Sequence, residues 1–104
     1  MKAALLEDID RLVVKEVEDY QVREGEVLVK VKSCAVCGSD IRIMHSGNPR
    51  VKFPHIIGHE IAGVVVEVGK GIEKFKVGDR VAIGADVPCG KCFCVRMEWE
   101  LTAL

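Results

Sequence analysis

The stretch Gly58-His59-Glu60-Ile61-Ala62-Gly63, running into Val64-Val65-Val66-Glu67-Val68, constrains this chain more than any other part of it. Glycines on both sides of an imidazole and carboxylate pair let the backbone turn and approach other segments closely, and the β-branched run behind them reads as a strand. His59 and Glu60 therefore belong at the mouth of a strand. About twenty residues earlier, Cys37-Gly38-Ser39-Asp40 adds a thiol. Thiolate, imidazole and carboxylate are the side-chain types that hold zinc at a reactive site. Cys37 and His59 are too far apart in sequence to sit in one turn, so two elements must supply them. That is the layout of a catalytic zinc with an open coordination position, whereas structural sites close around Cys-x-x-Cys knuckles. By itself a Gly-His-Glu triplet equally fits a hydrogen-bonded structural histidine, and the surrounding pattern has to decide.

That pattern is one of short strands. Residues 2–6 and 12–17 read as the arms of a hairpin around Glu7-Asp8-Ile9-Asp10-Arg11, and Gly25 breaks the polar stretch after Tyr20. Val27, Val29 and Val31 alternate with Leu28, Lys30 and Lys32, which predicts a half-buried strand delivering Cys34 and Cys37. From Ser39 the period changes: Ile41, Met44 and His45 fall at helical spacing, Asp40 lies in the first turn, and Gly47-Asn48-Pro49 ends the segment. Cys37 then sits near a helix N-terminus, where the macrodipole favours a thiolate. Pro54 keeps Phe53 extended, and Gly58 frees the turn into His59. Val64, Val66 and Val68 share one face of the next strand, with Val65 and Glu67 on the other. Gly69-Lys70-Gly71 opens like a dinucleotide fingerprint, but the third glycine is missing and Lys74-Phe75-Lys76-Val77-Gly78 does not start a helix. Gly78-Asp79 makes a turn and Arg80-Val81-Ala82-Ile83 a further strand. Many short strands and one short helix predict a small, mainly β barrel or sandwich.

Three ordered motifs give this pattern a family likeness. Gly58-His59-Glu60-Ile61-Ala62-Gly63, then five residues, Gly69, two residues and Ile72, resembles the zinc signature of the medium-chain alcohol dehydrogenases. Cys37-Gly38-Ser39-Asp40 is similar to that family's first zinc-ligand segment, and Phe75-Lys76-Val77-Gly78-Asp79-Arg80-Val81 to the start of one of its strands. The resemblance covers residues 1–92. It implies a partly open, GroES-like β-barrel with one short helix, incomplete here, because relatives complete the domain with later chain and pack it against a nucleotide-binding domain. It also implies catalytic zinc on Cys37 and His59, with Glu60 as a nearby or exchanging ligand that serves catalysis too. Ser39 matches the family's hydroxyl that hands on the substrate proton, and a helix-capping serine is the alternative. A relay histidine often follows that hydroxyl by three residues; Arg42 stands there, and His45 is the nearby substitute.

Composition narrows the partners. With 15 basic and 16 acidic residues the net charge is -1, which gives no excess to attract phosphate backbones or acidic membranes. The apolar runs are far short of the roughly 20 residues that span a bilayer, and Glu7 and Asp8 interrupt the N-terminus before a signal-peptide core forms. A soluble, cytoplasmic protein without nucleic-acid or membrane partners is expected, of at most one domain at 104 residues. For its five cysteines, metal binding is then preferred over disulfides.

Relatives also carry a structural zinc lobe of four cysteines spaced Cys-x2-Cys-x2-Cys-x7-Cys. Cys89-Gly90-Lys91-Cys92 fits its first half, but Cys94 is one residue early, and Val95 and Ala103 stand where cysteines are due. Cys89, Cys92 and Cys94 thus read as a degraded lobe, with residues 93–104 as an aberrant tail. Met97-Glu98-Trp99-Glu100 admits only bases whose shifted reading forces a glycine, then Met or Val, then glycine. The same frame allows cysteines from the bases of Cys94-Val95 and Thr102-Ala103, so one restored nucleotide after Cys92 recreates the lobe. An out-of-frame tail would leave Trp99 and Leu101 exposed. A natural or engineered truncation with an unrelated tail is the alternative.

Three functions fit these readings. The first is the N-terminal catalytic-domain fragment of a zinc-dependent alcohol or polyol dehydrogenase, passing hydride from a small alcohol or polyol to NAD or NADP held by the full-length parent. The second is a non-catalytic zinc-binding, GroES-like module, and the third a GroES-like barrel acting as an oligomeric partner; the resemblance is compatible with a homo-oligomer. A co-chaperonin would be expected to carry a long mobile apolar loop in place of the Cys-Gly-Ser-Asp and Gly-His-Glu pair, which ranks the third last.

Overall fold

The computed structural model describes residues 1–84. In chain order it contains β1 (Lys2–Asp8), β2 (Arg11–Glu16), β3 (Val27–Ala35), α1 (Gly38–Ser46), β4 (His55–Ile56), β5 (Glu60–Val68) and β6 (Arg80–Ile83). Two compact units result among the described residues: Met1–Gln21 with Ala35–Gly58, and Val22–Cys34 with residues 59–84. Among the described residues the strands form two three-stranded sheets, in the orders β2-β1-β4 and β3-β5-β6. The mainly β character with one short helix is as the sequence predicts. No helix among the described residues is long and apolar enough to cross a membrane.

In the first unit, β1 and β2 form the expected hairpin, with Ala4 opposite Val14 and Leu6 opposite Leu12. The strands run closer to the tip than the sequence suggests, leaving only Ile9 and Asp10 to turn. Asp10 takes φ 56°, a left-handed conformation that Asp tolerates better than most residues. The two-residue strand β4 pairs with the other side of β1, placing Ile56 opposite Leu5. As the middle strand, β1 buries Leu6 completely, worth about 2 kcal/mol of apolar transfer. The edge strand β2 leaves Val14 exposed.

Helix α1 belongs to the same unit. Cys37 is its N-cap, extended at φ -91° and ψ 154°, and Gly47 ends it at φ 69°, its N–H donating to the Ile43 carbonyl at 2.9 Å. The hairpin tip docks on the helix's last turn: the Asp10 N–H donates to the Met44 carbonyl at 2.8 Å, satisfying an acceptor that the helix leaves over. Ile9 packs so closely there that a Cβ on Gly47 would lie 3.1 Å from its Cδ1.

In the second unit, β5 and β6 pair antiparallel from Ile61 opposite Ile83 to Val64 opposite Arg80. Val65 and Val81 are the buried apolar side chains among this unit's described residues. The turn into β6 is built on Asp79. Its carboxylate accepts from the Lys76 N–H at 3.0 Å, its carbonyl accepts from the Val65 N–H at 2.9 Å, and the Gly78 N–H donates to the Val65 carbonyl at 2.8 Å. On β3 the expected half-buried alternation is absent: Val27 to Val29 are half-buried and everything beyond is exposed, Val31 included. A period-two pattern specifies which side chains share a face, not whether another layer covers that face.

Candidate metal centre

The thiol comes from the first unit. Cys37 is half-buried, and its backbone N–H donates to the Asp40 carboxylate at 3.0 Å while its carbonyl accepts from the Asp40 N–H at 3.0 Å. Asp40, the third residue of α1, thus returns to the N-cap as in a capping box. At 6% exposure it is the buried polar side chain among the described residues, and it pins the segment that carries the thiol. Sequence reading placed Asp40 in the first turn but missed this role, although the spacing Cys37-x-x-Asp40 was the available signal. Cys34 belongs to the other unit, on the exposed end of β3.

The imidazole and carboxylate come from the second unit. His59 is half-buried and directly precedes β5, and Glu60, exposed, is its first residue. Gly58, before them, has φ 105°, a conformation that other residues rarely adopt. The later glycines of the same signature serve packing. A Cβ on Gly63 would stand 2.4 Å from the Lys30 carbonyl oxygen, and one on Gly69 2.0 Å from that of Arg23. Here lies the physical use of a Gly69 that is no part of a dinucleotide fingerprint.

Ser39 lies exposed in the second position of α1 and is not the cap, because that place falls to Cys37. Arg42 is exposed one turn further on. The Nδ1 of His45 bonds the Asp10 carboxylate of the hairpin tip, so this ring nitrogen serves to hold α1 to the hairpin. Cys89, Cys92, Cys94 and the tail, with Trp99 and Leu101, lie outside the described residues.

On the hairpin of the first unit, ion pairs shift two titrating groups. A hydrogen bond from Lys15, followed by the charges of Lys15 and Arg11, holds the Glu7 carboxyl below its ordinary value of 4.5. The Met1 amine is raised above 8.0, first by its bond to Asp19.

Residues 23–101 match the alcohol dehydrogenase GroES-like domain. An uncharacterised zinc-type alcohol dehydrogenase-like protein of Bacillus subtilis, AdhB, is 41% identical over 101 residues, covering 96% of this chain and 27% of that protein. An alcohol dehydrogenase of Geobacillus stearothermophilus is 46% identical over 99 residues, covering 91% of this chain and 29% of its own. Among solved structures, a short chain alcohol dehydrogenase, rspB, from Escherichia coli, complexed with NADH, superposes with a TM-score of 0.80. It is 42% identical and covers 93% of this chain and 28% of its own. The chain thus spans a little over a quarter of the length of the curated relatives it matches.

Proposed function

Because the chain belongs to the alcohol dehydrogenase GroES-like domain family, we propose that it is the N-terminal part of the catalytic domain of a zinc-dependent alcohol or polyol dehydrogenase. In this reading Cys37, His59 and Glu60 hold the metal. The observation that carries it is the donor set: a half-buried thiol at the N-cap of α1 and an imidazole and carboxylate pair at the head of β5 are the side-chain types that suit zinc at an open site. The burial of Asp40 against the Cys37 backbone supports it further, since ligands need partners that hold them in place.

Bound there, zinc would supply a Lewis acid for the oxygen of a small alcohol or polyol. The chain's own residues would do the rest of the work on this side of the reaction. Asp40 keeps the Cys37 segment fixed, and the Ser39 hydroxyl takes the proton that the alcohol gives up and hands it on. The alcohol's hydride would go to NAD or NADP held by the rest of the parent enzyme. Arg42 cannot relay a proton as a histidine would, since a guanidinium does not deprotonate in proteins. The proton would then leave Ser39 through solvent.

Joining residues 1–92 to the remaining chain of the Bacillus subtilis relative tests this reading. Alcohol-dependent reduction of NAD or NADP by the chimaera, lost in Cys37→Ala and in His59→Ala, is the expected result. A folded, zinc-loaded chimaera without such activity on any alcohol or polyol would favour the non-catalytic module. The 104-residue chain alone is expected to show no turnover, because hydride transfer needs a nicotinamide held against the substrate.

A further inference from the structure

α1 has nine residues, a length at which a helix is marginal without tertiary contacts. Asp40 is the one residue of α1 that is buried; Ile43 and Met44 are half-buried and Ile41 is exposed. Apolar packing therefore fixes the helix weakly, and contacts at its two ends have to set where it lies. At the N-terminal end Asp40 holds the Cys37 backbone. At the other end three contacts converge from the hairpin tip. The Asp10 N–H donates to the Met44 carbonyl at 2.8 Å, the Asp10 carboxylate bonds the His45 Nδ1, and Ile9 closes against Gly47. The tip is itself well anchored: the Asp8 carboxylate accepts from the Ile9 N–H at 2.8 Å, and Leu6 is fully buried in the strand behind it.

His45 is placed to hold the helix and not to take a proton from Ser39. Ser39, Arg42 and Ile43 stand three and four residues apart, share one face of α1 and line one cleft, which His45 does not reach. Six residues beyond Ser39, His45 lies about 120° round the helix from it. Its Nδ1 is turned to the hairpin.

We propose that Asp10 is a positioning residue for the reaction. Through His45 and the Met44 carbonyl it fixes the last turn of α1, and the helix, about 14 Å long, carries that placement to Ser39 in its first turn. The proposal rests on the dehydrogenase reading for what Ser39 does, and on the hairpin and α1 alone for how Ser39 is placed.

The test has two arms, built on variants that separate the side-chain bond from the shape of the turn. Asp10→Gly keeps a residue suited to φ 56° and removes the carboxylate, whereas Asp10→Asn keeps an acceptor for His45. His45→Asn keeps an N–H at the place of Nδ1, and His45→Leu does not. The first arm follows backbone amide chemical shifts of the 104-residue chain with EDTA present. Asp10→Gly and His45→Leu should move the amides of α1 as far back as Ser39 and Asp40, and the two Asn variants should not. The second arm measures the chimaera described above at a temperature where circular dichroism shows every variant folded. There kcat should fall about tenfold in Asp10→Gly and in His45→Leu, as for a displaced reacting group, with KM for the nicotinamide unchanged. Both Asn variants should stay within about twofold of the parent, and the Asp10→Gly, His45→Leu double variant should lose no more than either alone, because one bond is being removed. Shifts confined to the last turn of α1, or a lower Tm with kcat intact, would overturn the proposal. So would loss of kcat in His45→Asn that added imidazole restores, since that marks a proton relay. If the unmutated chimaera is inactive, the dehydrogenase reading falls and the amide shifts still decide whether Asp10 places Ser39.

Discussion

Replacing Gly69 by Ala gives the sharpest test of how the second unit is packed. A Cβ built there would stand 2.0 Å from the Arg23 carbonyl oxygen and 2.7 Å from that of Glu26. Both obstacles are backbone atoms, so no side chain can rotate out of the way. The same glycine donates its N–H to the Glu26 carbonyl at 2.7 Å, while the Gly25 N–H bonds the Lys70 carbonyl at 2.9 Å. Relief of the clash has to pull these strands of backbone apart. Overpacking of this kind costs about 1–3 kcal/mol, and a strained or broken backbone hydrogen bond adds about 1 kcal/mol. A loss of about 3 kcal/mol is therefore expected. With a urea dependence of about 1 kcal/mol per molar, the unfolding midpoint should fall by about 3 M. Two internal controls separate sterics from glycine's conformational freedom. Gly71→Ala meets nothing within 4 Å but must adopt φ 87°, so it should cost only about 1 kcal/mol. Gly38→Ala, in the first turn of α1 with open space around it, should stabilise by about 0.5 kcal/mol through the unfolded chain. Urea denaturation followed by circular dichroism ranks the three, and a Gly69→Ala midpoint no lower than that of Gly71→Ala would refute the close-approach argument.

Three further outcomes are expected. In metal titrations followed by cobalt-thiolate absorption, Cys37→Ala should lose binding while exposed Cys34→Ala keeps it; equal losses would mean that the wrong thiol has been chosen. Asp40→Ala removes the bond to the Cys37 N–H and should cost about 1–2 kcal/mol in thermal unfolding, and an unchanged Tm would mean that the buried carboxylate does not hold this turn. Glu7 makes the fold sensitive to acid: its carboxyl is depressed in the folded chain, first by the Lys15 hydrogen bond. The stability it contributes is present above the unfolded value of 4.5 and disappears as pH falls through the lower folded value. Urea midpoints measured from pH 6 down to pH 3 should therefore converge for the parent and Glu7→Gln, and a constant gap across that range would exclude Glu7 as the source.

What the sequence made legible was local. The hairpin, α1 with its Gly47 stop, and β6 each declare themselves within a few residues, through alternation, helical spacing or a Gly-Asp turn. Pairings set by distant chain were not legible. His55–Ile56 is too short to announce a strand, and it becomes one because β1 offers Leu5 and Leu6 as partners. Burial was also misjudged on β3, where Val31 alternates with lysines yet lies exposed. At the candidate centre, Cys37, His59 and Glu60 could be picked out by residue type and motif. Asp40 could not be weighted properly, because the value of a carboxylate at the third helical position depends on whether it folds back onto the cap.

The glycines show the same limit from another side. In sequence, Gly58, Gly63 and Gly69 look like one set belonging to a metal motif, but their physical duties differ. Gly58 is required by a φ of 105°. Gly63 and Gly69 are required by neighbouring carbonyls that leave no room for a methyl group. The motif that carries the proposed ligands is thus also a packing code for the sheet behind it, since His59 and Glu60 lead directly into the strand that Gly63 lets lie against Val29 and Lys30. A substitution at Gly63 should accordingly disturb His59 and Glu60, the proposed ligands, through the strand that positions them, even though the residue carries no donor of its own.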